Sequence, residues 1–138
     1  MLKRTMGGVV AAVLAVAPEL YGQAAAAAND PVTDGRRLSE WVGDLKADAP
    51  QVRNAAAYEI SGLGPAAAPA VPALIQALDD PAASVRYPVT VALGEIGPAA
   101  AEAVPRLKKM MDEELNDEIA ASAKRAIGRI KPEALADQ

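Results

Sequence analysis

The chain has 138 residues, of which 33 are Ala and none is Cys, His or Phe; one Trp and three Tyr supply all its aromatic side chains. Without Cys or His there is no disulfide, thiol nucleophile, thiolate zinc site, imidazole-ligated metal or His-based triad. A net charge of −4 has the wrong sign for a surface that neutralises phosphates, so nucleic acid is not an expected partner.

Lys3 and Arg4 precede an apolar run from Met6 to Ala17, which Pro18 ends, and Ala24 to Ala28 supply small residues after it. A basic start, a short apolar centre and a small-residue exit make the three-part pattern of a secretory signal over residues 1–28, with cleavage expected near 24–28. The twelve residues of the run would cover about 18 Å as a helix, short of the ~30 Å hydrocarbon core. No stable membrane span is therefore expected, although an uncleaved N-terminal anchor is the alternative. The pattern points to a periplasmic or secreted protein of bacterial type. Without residues 1–28 the chain keeps 12 basic and 17 acidic residues, a net charge of −5.

Beyond a short linker (29–33) the chain repeats itself. Val52-Arg53 recurs as Val85-Arg86, Gly64-Pro65 as Gly97-Pro98, and Val71-Pro72 as Val104-Pro105, each 33 residues on. A third copy follows at a spacing of 34, with Ile119, Ala123, Ala126, Ile127 and Ile130 opposite Val85, Val89, Ala92, Leu93 and Ile96. Such a period marks a stacked-repeat architecture. The units are placed at about 34–64, 65–97 and 98–131, with a tail over 132–138.

Each unit reads as two helices. Leu38, Trp41, Val42 and Leu45 are spaced i, i+3, i+4, i+7, one apolar helical stripe, and Asp34 is the expected N-cap. Val52, Ala56, Ile60 and Leu63 form the stripe of the partner helix, which stops at Gly64-Pro65. Helices are predicted over 34–47, 50–62, 67–79, 82–96, 100–112 and 115–130. Pro72 lies deep enough to threaten a kink, and Pro88 sits near the start of its helix. One hairpin cannot bury its apolar face alone, whereas three stacked hairpins share a continuous core. Ala56, Ala57, Ala92, Ala123 and Ala126 let neighbours approach closely, and Trp41 takes the place of Leu74 and Leu107 as an end plug. The expected fold is all-α, a short α-solenoid of about three antiparallel helix pairs.

Val71-Pro72-Ala73-Leu74-Ile75-Gln76-Ala77-Leu78-Asp79-Asp80-Pro81 and Val85-Arg86, followed by Ala92-Leu93-Gly94-Glu95-Ile96-Gly97-Pro98, closely resemble HEAT repeats, in the subtype also found in phycobilisome bilin lyases. The resemblance spans residues 34–131 and implies a right-handed superhelix of the armadillo and HEAT type. It also implies that Arg53 and Arg86 reach an Asp of the adjoining turn, with Asp48, Asp79 and Asp80 at hand. The His-Glu metal pairs of an iron-dependent hydroxylase built on this repeat have no counterpart in a chain without His. Glu59 and Ser61 stand where the second unit has Ala92 and Gly94, and Ala120 replaces the Arg in the third. A bilin-lyase-like accessory role is a fold-level analogy only.

No catalytic, metal or cofactor residues emerge. Asp79-Asp80 and the acidic run Asp112 to Glu118 lie at inter-helix turns without the Gly-centred loop of a calcium hand. Recognition of a protein or peptide is the better reading. In solenoids of this kind second helices line the concave face. There the positions outside the core stripe align as Asn54, Tyr87 and Ala121, as Tyr58, Val91 and Arg125, and as Gly62, Glu95 and Arg129. Tyr58 and Tyr87 offer large contact area at low entropic cost, and Lys124, Arg125, Arg129 and Lys131 make the last helix basic. Self-association through the open ends is a further alternative.

Overall fold

A computed structural model describes residues 29–136. The expected export segment, residues 1–28, lies outside the described residues. From Pro31 onward the chain forms one compact unit. A two-stranded hairpin, β1 (Val32–Thr33) and β2 (Arg36–Arg37), leads into three helix pairs. The pairs are α1 (Leu38–Asp44) with α2 (Pro50–Gly62), α3 (Val71–Ala77) with α4 (Ala83–Ile96), and α5 (Val104–Glu113) with α6 (Asp117–Ile130). The chain is a short all-α solenoid.

The second helices form its inner layer. Helix α4 packs along α2 on one side and α6 on the other, while first helices reach the next repeat through the segments that precede them. That intimacy has a sequence cause. Ala56, Ala57, Ala92, Ala123 and Ala126 are buried between helices, and Gly94 is buried against α6. A Cβ on Gly94 would lie 3.2 Å from the Cα of Ala126, so the two backbones nearly touch. Leu74, Leu78, Leu93, Ile96, Leu107 and Ile127 then fill one continuous interior.

The connections differ from the expected plain turns. Helices α2 and α4 end where Gly64 (φ 55°) and Gly97 (φ 78°) take the left-handed conformation, which costs Gly little. Each Gly opens a 3-10 segment, Gly64–Ala70 and Gly97–Ala103, before the α-helix begins. Ala67 and Ala70 are fully buried, as are Ala100 and Ala103; residues three apart share a face in a helix of three residues per turn. The expected kink at Pro72 does not arise, because α3 starts only at Val71 and Pro72 occupies its second position. An N–H there has no intrahelical acceptor to lose.

Pro88 lies in the sixth position of α4 and deprives the Ser84 carbonyl of its i+4 donor. The Asn54 side-chain amide, from α2 of the preceding repeat, donates to that carbonyl. A defect in one helix thus becomes a tie to its neighbour.

At the N-terminal end the expected helix start is overturned. Asp34 (φ 48°) and Gly35 (φ 73°) form the two-residue turn of the hairpin, an Asp-Gly pair with both φ positive, as a type I′ turn requires. Asp34 is therefore no N-cap; α1 begins four residues later, where the Arg37 N–H donates to Glu40 (2.9 Å). The hairpin covers Trp41. Its indole Nε1 donates to the Thr33 carbonyl (3.2 Å), and the Arg36 guanidinium lies 4.0 Å from the ring centroid. The opposite end is covered by a further 3-10 turn, Pro132–Leu135, which packs on α6 and buries Ala134.

Replacing Gly94 by Val should force α4 and α6 apart, with a loss of about 1–3 kcal/mol read as a lower urea midpoint. Gly62→Ala, whose Cβ would meet nothing within 4 Å, should be neutral or stabilise by up to about 1 kcal/mol. Equal effects at the two positions would contradict the close approach.

Candidate functional site

Two rows of side chains cross the repeats, one along the turn edge and one along the inner face. The turn-edge row is an arginine ladder. Arg53, on the first turn of α2, donates through Nε and Nη2 to the Asp80 carboxylate (2.7 and 3.0 Å). Its Nη1 donates to the carbonyls of Ala47 and Asp48 (2.9 and 2.8 Å) in its own turn. Arg86 repeats the pattern one unit later, with Nε and Nη2 on Glu114 (2.8 and 3.0 Å) and Nη1 on the carbonyls of Asp80 and Pro81 (2.9 and 3.1 Å). Each planar fork holds two successive turns at once, a geometry that Lys cannot supply.

These pairs are largely shielded, with 13% and 7% of the side-chain surface exposed for Arg53 and Asp80, and 19% and 10% for Arg86 and Glu114. Burial pushes the Asp80 carboxyl up, but the hydrogen bonds from Arg53 and the Ala82 N–H outweigh it and hold the group below the ordinary carboxylate range. The Arg86 fork draws the Glu114 carboxyl down against the opposing effect of burial, aided by the Asn116 N–H. Asp79 turns away from the ladder and pairs with Arg106. In the third unit, where Ala120 replaces the Arg, the Asn116 side chain caps α6 by accepting from the Glu118 and Ile119 N–H groups (3.0 and 3.2 Å).

The inner face carries the other residues singled out by the alignment. Asn54 is engaged with the Ser84 carbonyl. Tyr87 is half-buried against the core, whereas Tyr58 stands 49% exposed. Glu95 and Arg129, which occupy one aligned column, form an ion pair between α4 and α6. Val91, Glu95, Arg125 and Arg129 line a depression of about 210 Å³ between those helices, floored by Thr90 and Ser122. The two floor hydroxyls lie 2.6 Å apart, and the Thr90 hydroxyl donates to the Tyr87 carbonyl (2.7 Å). Arg125 is exposed and has no ion-pair partner among the described residues.

Several of these contacts were not found from the sequence, among them Glu114 as the acceptor of Arg86, Asp79 on Arg106, the Glu95–Arg129 pair, the buried Thr90–Ser122 pair and the Asn54 bond. Glu114 was foreshadowed by spacing. The Arg-to-acid separation is 27 residues in one rung and 28 in the next, which matches the change of repeat length from 33 to 34. For Asn54 the signal was Pro88 four residues after Ser84.

Among the described residues no three acidic side chains converge to hold a metal ion; Asp80 and Glu114 are committed to guanidinium forks. The family model for HEAT repeats matches residues 39–128, well over half of the chain. No curated protein matches it.

The depressed carboxyls make stability depend on pH in a definite direction. The ladder contributes fully above about pH 5, where the unfolded carboxylates are ionised, and its contribution is lost as pH falls through the lower folded values. Urea midpoints measured from pH 7 down to pH 2 should fall less steeply in an Asp80→Asn, Glu114→Gln double variant than in the parent. Parallel curves would show that other carboxylates govern acid unfolding.

Proposed function

The chain belongs to the HEAT repeat family, and on that premise we propose that it is a non-catalytic protein-binding module, a short scaffold that acts after export from the cytoplasm. HEAT repeats commonly mediate protein–protein interaction or scaffolding. The sequence pattern of residues 1–28 supports export. No helix among the described residues is long and apolar enough to cross a membrane. Self-stacking through the ends is disfavoured by the two segments that cover them, the hairpin over Trp41 and the turn Pro132–Leu135.

The observation that carries the reading is Tyr58. A large aromatic side chain is half exposed on the inner helix layer, while its aligned neighbours Val91 and Arg125 border the groove between α4 and α6. Aromatic and Arg side chains are the ones most often found as anchors of protein interfaces. A surface so placed offers contact area without reactive groups, which suits holding a partner rather than transforming it.

A photo-crosslinking amino acid placed at Tyr58 in living cells should give a discrete conjugate, identified by mass spectrometry. The same group at Arg37, exposed on the hairpin, should not. Identical patterns from the two positions, or none from either, would remove the support for a binding role. Sequencing the N-terminus of the mature protein should give a start between residues 25 and 29; an intact Met1 in every cell fraction would overturn the export part.

A further inference from the structure

The inner face differs in character from one end to the other, and we infer that it takes an extended peptide segment bearing an acidic side chain, with the carboxylate seated at Arg125 and an apolar side chain at Tyr58. The inference rests on the protein-binding reading and gives that surface a ligand chemistry and a register.

Charge comes first. Two arginines border the groove between α4 and α6, and only one of them is neutralised: Glu95 pairs with Arg129 and leaves Arg125 uncompensated among the described residues. The chain as a whole carries a net charge of −4. An unpaired guanidinium beside a groove, on a helix that also carries Lys124 and Arg129, makes this part of an acidic chain locally positive and favours an anionic guest. Hydrogen bonding points the same way. The floor hydroxyls of Thr90 and Ser122 face each other, and that of Thr90 is spent on the Tyr87 carbonyl. Arg125 is thus the groove's guanidinium without a charge partner among the described residues, and a guanidinium fork matches a carboxylate in both charge and shape.

Spacing supplies the register. Tyr58, Val91 and Arg125 hold equivalent positions on α2, α4 and α6, one per repeat. Packed helices lie about 8–10 Å apart, and an extended chain advances about 3.3 Å per residue. A strand laid across the three helices therefore moves about three residues per helix, and about six from Tyr58 to Arg125. Val91 is half-buried at the groove's border, so the middle of the strand meets a low apolar surface that accepts a small residue. The recognised pattern is an apolar residue, a small one about three positions on, and Asp or Glu about three positions beyond that.

A phage-displayed library of random dodecapeptides, selected on the purified protein, tests this. The enriched peptides should share an apolar residue and an acidic one about six positions apart, in the same order throughout the set. Arg125→Glu should weaken them about tenfold or more, and reselection on that variant should replace the acid by Lys or Arg. Tyr58→Ser should weaken the same peptides without changing their charge preference. Both positions are exposed, and an unchanged urea midpoint establishes that the variants fold. Peptides that lack the acid, ignore Arg125→Glu and yet are lost with Tyr58→Ser would overturn the inference and leave the binding role standing. No enrichment, or enrichment indifferent to both substitutions, would overturn both.

Discussion

Helices without bulky side chains between them gain from packing only if they come very close, and the inner layer of this solenoid is built on that constraint. Gly94 against Ala126 is one point of such close approach, and Ala56, Ala57, Ala92 and Ala123 are buried in the same layer. Small residues bury little apolar area each, and burial scales with area. Close approach compensates by bringing many atoms within dispersion range. It also fixes the rotation of each hairpin on the next, because a helix that turned would present a larger residue where only Ala or Gly fits.

The arginine ladder operates at the opposite edge of the same stack. Close packing of second helices sets the distance between successive turns, and the forks of Arg53 and Arg86 bridge that distance while also satisfying turn carbonyls. The Asn54 bond to Ser84 is a third bridge, made on the inner face next to the ladder's Arg53. None of the three would reach if the helices stood farther apart. The polar ties therefore depend on the small-residue contacts, and they in turn hold the register that those contacts need. Neither the ladder arginines nor their acids are left free for a ligand.

How much of this could be read from the sequence follows from the range of the interactions. The helix pairs were legible because their apolar stripes and Gly-Pro stops recur at 33 residues, a signal carried by many positions at once. The hairpin at Val32–Arg37 was missed although its Asp-Gly turn was in plain view, because Asp34 also fits the role of an N-cap. Only two residues of strand flank the turn on each side, too few for an alternating pattern. The 3-10 segments were hidden in runs such as Gly-Pro-Ala-Ala-Ala, where Ala suits α and 3-10 geometry alike. The acceptor of Arg86 escaped because the third unit carries one more residue ahead of its second helix, taken up in a longer α5. The acid therefore falls 28 rather than 27 positions after its Arg, and it is Glu rather than the expected Asp.

The candidate surface was only half legible for a related reason. Alignment identifies which positions share a face, but not which of them the fold has already engaged. Asn54 and the Glu95–Arg129 pair belong to the same face as Tyr58, yet they connect repeats to one another. Tyr58, Val91 and Arg125 form an aligned column that those ties leave unengaged. Because the interior and the turn edge secure the stack without them, these three positions are free to differ in chemistry from repeat to repeat. An aromatic, an aliphatic and a guanidinium in one aligned column would be incoherent as core. As a surface, they give a guest both a direction and a place for its charge.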